Sequence, residues 1–86
     1  MKNNQMYITS GVNELISGDH SLLAPIIEKF LSKNWGELNE SDKLENDNAF
    51  LKGGSIIAKY LLNCEFVYII RDADLSATTV LLPSEY

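Results

Sequence analysis

Residues 55–86 read SIIAKYLLNCEFVYIIRDADLSATTVLLPSEY, and this stretch decides the fold class. Three runs within it, 56–62, 66–71 and 77–82, are rich in β-branched and aromatic side chains, which suit a pleated, half-buried surface. Asn63-Cys64-Glu65 separates the first two, and Asp72-Ala73-Asp74-Leu75-Ser76 separates the last two. Connections this short join antiparallel neighbours, so residues 55–83 are expected to form a three-stranded antiparallel meander. Pro83 stops the last strand, because it has no N–H to give to a ladder. If that strand pairs with the middle one, removing it would bare a hydrogen-bonding edge, so this end of the chain is expected to be structural.

Upstream of residue 55 the texture is mainly helical, with residues 1–5 polar and expected to be flexible. Residues 6–9, Met-Tyr-Ile-Thr, have the composition of a short strand. Thr9 or Ser10 can then cap a first small helix that carries Val12, Leu15 and Ile16 on one side and ends at Gly18. Leu22, Leu23, Ile26, Ile27, Phe30 and Leu31 recur at helical spacing and define one buried stripe. Pro25 fits only the first turn of that helix, and Asn34-Trp35-Gly36 ends it. Asn39 or Ser41 can cap a third helix reaching Lys52, with Gly53-Gly54 as its stop. Its apolar side is sparse, so it is expected on the surface, anchored by Leu44, Phe50 and Leu51. The expectation is one α+β domain over residues 1–86, with two to three N-terminal helices on one face of the C-terminal meander.

The chain has 86 residues, of which 45% are hydrophobic and 22% charged, the balance of a folded protein with one thin core. Its net charge is −5. Much of that charge lies in one segment, where Glu37, Glu40, Asp42, Glu45 and Asp47 stand against Lys43 alone. A negative field repels phosphate backbones, which argues against direct nucleic-acid binding. Lys2, Lys29, Lys33, Lys52 and Lys59 would have to converge in three dimensions to reverse that, and dispersed lysines serve solubility. The acidic segment is either a solvated helix face or a surface offered to a basic partner. A single cysteine, Cys64, allows no internal disulfide, which fits a reducing compartment and an expected cytoplasmic location. No apolar run approaches the length of a membrane span.

Catalytic patterns are sparse. His20 is the only histidine and has Asp19 beside it, whereas a metal site needs three or four ligands, so no metal or cofactor is expected. Glu65 beside Cys64 would quiet a thiol. Asp72-Ala73-Asp74 lacks the glycine and distal glutamate of a calcium loop, and aspartates in such a turn fix its geometry by bonding nearby backbone N–H groups. Gly53-Gly54 is not a phosphate loop. Trp35 is expected to plug a joint between helices, and Tyr86 is a candidate recognition side chain.

The segments NWGELNESDKLEND (residues 34–47), GGSIIAKY (53–60) and DADLSATTVLLPSEY (72–86) resemble a family of small bacterial proteins linked to plasmids and other mobile elements. The resemblance covers most of the chain after Leu22 and is densest over its last sixteen residues. Some members carry a label suggesting the modification subunit of a type I restriction system. This chain is too short for a methyl-donor-binding doubly wound sheet and lacks the Asn-Pro-Pro-aromatic motif of that chemistry. It also has Phe30, Asn34 and Leu75 where members of the family carry His, Asp and Arg.

The resemblance and the missing catalytic motifs together imply a non-enzymatic protein-binding module of a mobile genetic element. An anti-defence inhibitor, anti-restriction or anti-CRISPR, is its specific form, with Glu37, Glu40, Asp42, Glu45, Asp47 and Tyr86 as the partner-binding residues. The partner would be a host-defence effector with a groove built for nucleic acid, and a homodimer is compatible with the same pattern. The rival expectation is a small metal-dependent or hydrolytic enzyme using Asp72, Asp74 and Glu85, with His20.

Overall fold

A computed structural model describes residues 5–74 and 77–86. The chain begins with β1 (Gln5–Ile8) and α1 (Ser10–Leu15), then a 3-10 turn (His20–Leu23) that runs into α2 (Ala24–Leu31). A longer helix, α3 (Glu40–Lys52), precedes β2 (Ile56–Leu62), β3 (Glu65–Arg71) and β4 (Ala77–Leu81), and a second 3-10 turn (Pro83–Glu85) follows. The class is α+β: the described residues form three α-helices and one four-stranded mixed sheet of order β1-β4-β3-β2.

The meander is present, since β2 pairs antiparallel with β3 and β3 with β4. It is not the whole sheet. β1 lies parallel to β4, with Met6 opposite Thr78 and Ile8 opposite Val80, and the Thr9 N–H continues the ladder to the Val80 carbonyl at 3.1 Å. The three-stranded expectation therefore becomes a four-stranded sheet. Loop length fixes pairing only between strands adjacent in sequence, and an open β4 edge accepts the first segment from some seventy residues away. Gln5 belongs to β1, not to a loose terminus, and residues 1–4, Lys2 among them, lie outside the described residues. β4 ends at Leu81, short of the expected Leu82 or Pro83, because the Leu82 N–H turns to the Glu85 side chain.

The hairpin between β2 and β3 turns on Asn63 and Cys64, both at positive φ, the two-residue geometry that matches strand twist. Ile56, Ala58, Tyr60 and Leu62 of β2 are buried, as are Val67 and Ile69 of β3 and Val80 of β4. These side chains form one core with Val12 of α1, Ile16 just after it, Leu23, Ile26 and Phe30 around α2, and Trp35. The core thus lies between the helices and one face of the sheet. Leu22 and Leu31, assigned by spacing to the buried stripe, are 39% and 70% exposed; Leu22 lies in the 3-10 turn, where the rotation per residue differs from that of an α-helix, and Leu31 is the last residue of α2.

Both long helices start and stop on local chemistry. Pro25 occupies the first turn of α2, and Lys33 in left-handed conformation follows its end. The Asn39 side chain accepts the Asp42 N–H at 2.8 Å to cap α3, whose end is Gly53 at φ 87.

The anchoring of α3 departs from expectation. Leu44 and Leu51 are 61% and 80% exposed and Phe50 is 38% exposed, whereas Asn46 is buried. Phe50 instead receives the Lys33 ammonium at 4.2 Å and the Arg71 guanidinium at 5.3 Å from its ring centroid. Asn46 is held by hydrogen bonds, because α3 runs along an unpaired strand edge whose peptide groups need partners.

Candidate functional site

β2 is an edge strand, and its free peptide groups are met from outside the sheet. The Lys59 N–H donates to the Trp35 carbonyl at 3.2 Å, and the Glu37 N–H donates to the Lys59 carbonyl at 2.7 Å. One register earlier, Asn46 Nδ2 donates to the Ile57 carbonyl at 2.8 Å and the Ile57 N–H donates to Asn46 Oδ1 at 3.3 Å. Gly36 permits this approach, since a Cβ there would stand 2.0 Å from the Lys59 carbonyl oxygen. Trp35 locks the same corner. Its ring is buried, stands edge-on to Phe30 at 5.6 Å, and donates through Nε1 to Asp47 Oδ1 at 2.9 Å.

With α3 fixed along β2, the helix face bearing Asp42, Glu45, Asn46 and Ala49 borders a concavity of about 520 Å³. Spacings of three, four and seven residues put these four side chains on one side of the helix. Leu38, Ser55, Ile57, Tyr68 and Tyr86 complete the lining. Ile57 and Tyr68 alternate with the buried core residues along their strands, so the concavity opens on the sheet face away from α1 and α2. Tyr68 and Tyr86 meet nearly at right angles, 85° between planes with centroids 5.9 Å apart. Tyr86 is 73% exposed.

Tyr86 is held there by Glu85. One carboxylate oxygen accepts the Thr9 hydroxyl at 2.6 Å and the Leu82 N–H at 2.9 Å, and the other accepts the Gly11 N–H at 3.2 Å. Thr9 Oγ1 also accepts the Val12 N–H at 3.4 Å as the cap of α1, so one carboxylate joins the start of α1 to the turn after β4. The Thr9 hydroxyl, then the Leu82 N–H, hold the Glu85 carboxyl below the usual carboxylate range.

The sequence-selected residues separate into groups. Asp42, Glu45 and Tyr86 converge on the concavity. Asp47 serves the Trp35 indole, Glu40 lies 3.9 Å from Lys43 on the helix surface, and Glu37 is exposed beside the Gly36–Lys59 bridge. Asp72 and Asp74 are exposed in the turn after β3, where the Asp72 N–H donates to the Ala77 carbonyl at 3.0 Å. Leu75 and Ser76 of that turn lie outside the described residues. His20 borders a different hollow, with Met6, Tyr7 and Leu23. Among the described residues, no three of His, Cys, Asp and Glu gather as a metal site would require, and the Glu85 oxygens are engaged with Thr9, Gly11 and Leu82. Of the dispersed lysines, Lys33 lies over Phe50, and Lys59 lies over Phe66 at 4.3 Å.

Sequence reasoning missed Asn46 and the pairing of Tyr68 with Tyr86. An asparagine on the inward side of a helix with few apolar anchors was the available signal for the first. The alternation of Phe66, Tyr68 and Ile70 opposite Val67 and Ile69 was the signal for the second. Phe30 and Asn34 both sit at the Trp35 corner: Asn34 Oδ1 accepts the Gly36 N–H at 3.1 Å, and its carbonyl accepts the Tyr60 hydroxyl at 2.7 Å. Compared with protein-family models, curated proteins and solved structures, the chain finds no match. No helix among the described residues is long and apolar enough to cross a membrane.

Proposed function

We propose that this protein acts as a binding module, docking the acidic face of α3 and the adjoining concavity on a cationic surface of another protein. The observation that carries this reading is the convergence of Asp42 and Glu45 with an exposed Tyr86 on one concave surface. Clefts with apolar walls and a few converging polar groups are the usual form of binding sites, and exposed tyrosines recur as anchors of protein interfaces. The net charge of −5 adds long-range attraction for a basic partner.

The resemblance to plasmid-linked proteins directs the partner toward host defence. A restriction or CRISPR effector carries a basic groove for nucleic acid, and an acidic module seated in it would block that groove. The test is affinity capture from a bacterial lysate with the native chain and with a Glu40→Lys, Asp42→Lys, Glu45→Lys variant. A specific partner should be retained by the native chain, released by rising salt and lost by the variant. Capture of the same partner by the variant at the same salt overturns the reading.

A further inference from the structure

We infer that the concavity between α3 and Tyr86 receives an arginine side chain of the partner protein. This deepens the protein-binding reading above and rests on it.

The inference begins with what the cleft presents. Asp42 and Glu45 stand one helical turn apart on one wall, Tyr68 and Tyr86 form an orthogonal aromatic corner, and Leu38 and Ile57 are apolar lining. A guanidinium is flat and weakly hydrated, and it carries N–H donors around its rim. It can lie against a tyrosine face while its edge donates to carboxylates. Its methylene stem would cover apolar surface. A lysine ammonium matches this surface less well, because it is strongly hydrated and has no flat face.

Charge complementarity points to a cation from outside the chain. Among the described residues Asp42 and Glu45 make no ion pair, and neighbouring cations are engaged elsewhere: Lys43 with Glu40, Lys59 over Phe66, and Lys33 and Arg71 over Phe50. The aromatic corner is also set in advance. Glu85 fixes the turn that carries Tyr86, which lowers the ordering needed at the moment of binding.

The test titrates the full chain, observed by amide NMR, with a blocked Gly-Arg-Gly peptide, its lysine and citrulline counterparts, and spermidine. Shifts should concentrate at Asp42, Glu45, Ile57, Tyr68 and Tyr86, with arginine ahead of lysine and citrulline last. Tyr86→Ala, at an exposed position, should keep the native spectrum elsewhere and weaken the arginine peptide by about fivefold or more, as should Asp42→Asn with Glu45→Gln. Shifts scattered over the surface, citrulline equal to arginine, or spermidine superior at the same residues overturns the inference. In the lysate capture, a partner retained by Tyr86→Ala but lost by the triple reversal overturns the arginine pocket alone, whereas one retained by both overturns the acidic-face reading as well.

Discussion

Asn46 and Ile57 exchange two hydrogen bonds, side-chain amide to backbone, in the pattern one strand residue makes with another. A helix thereby covers the open edge of a sheet with a single side chain. Edges left bare recruit other chains, so this pair contributes both stability and solubility.

Asn46→Ala leaves the Ile57 N–H and carbonyl without partners and should destabilise the protein by about 1–3 kcal/mol. Asn46→Asp makes the sharper experiment. An ionised carboxylate still accepts from the Ile57 N–H but opposes its carbonyl, while a protonated one can donate. The aspartate variant should therefore lose more stability at pH 7 than near pH 4, measured by urea unfolding at both. Equal losses at both values would remove the peptide-mimic role.

Glu85 should make stability depend on pH. Its folded-state pKa lies below the ordinary carboxylate value, first through the Thr9 hydroxyl. The contribution is therefore present above about pH 4.3, the unfolded reference, and lost as pH falls through the lower folded value. Glu85→Gln should lower the thermal midpoint at pH 7, and the gap from the native chain should close as pH falls below the ordinary carboxylate value. A gap constant across that range would contradict the clamp.

Gly36→Ala should destabilise by about 1–3 kcal/mol through backbone strain alone, before the clash with Lys59 is counted. The glycine sits at φ 79, with the Lys59 carbonyl oxygen 2.0 Å from where a Cβ would stand. Chemical denaturation checks the loss, and light scattering should show increased self-association, because the same approach covers β2.

Asp47 and Asp42 should behave differently although both belong to the acidic segment. Asp47→Ala removes the acceptor of the buried Trp35 indole and should cost about 1 kcal/mol of stability, with a shift in tryptophan fluorescence. Asp42→Asn should change stability by no more than about 0.5 kcal/mol, because its carboxylate makes no ion pair among the described residues. A reversed order would put the binding carboxylate at the wrong position.

Much of the fold was legible residue by residue. β-branched runs marked the meander, Asn39 and Gly53 marked the ends of α3, and Pro25 and Lys33 bracket α2. The partner of β1 was not legible. Nothing in Met6-Tyr7-Ile8 specifies Thr78 to Val80 as its neighbour. The apolar residues of α3 pointed to Leu44 and Leu51, while the helix is held by an asparagine.

The candidate site divides the same way. Composition alone picked out an acidic segment and a terminal tyrosine, and it disfavoured catalysis by what it lacked. Which carboxylates open on a cleft, which one braces an indole and which aromatic meets Tyr86 depended on α3 lying along β2 and on Glu85 reaching Thr9. Turn, cap and periodicity preferences act between near neighbours and are written in short words of sequence. Edge covering and cleft formation join residues from 11 positions apart, as Asn46 and Ile57 are, to 76, as Thr9 and Glu85 are, and they arise only when the collapsed chain must find partners for its remaining peptide groups.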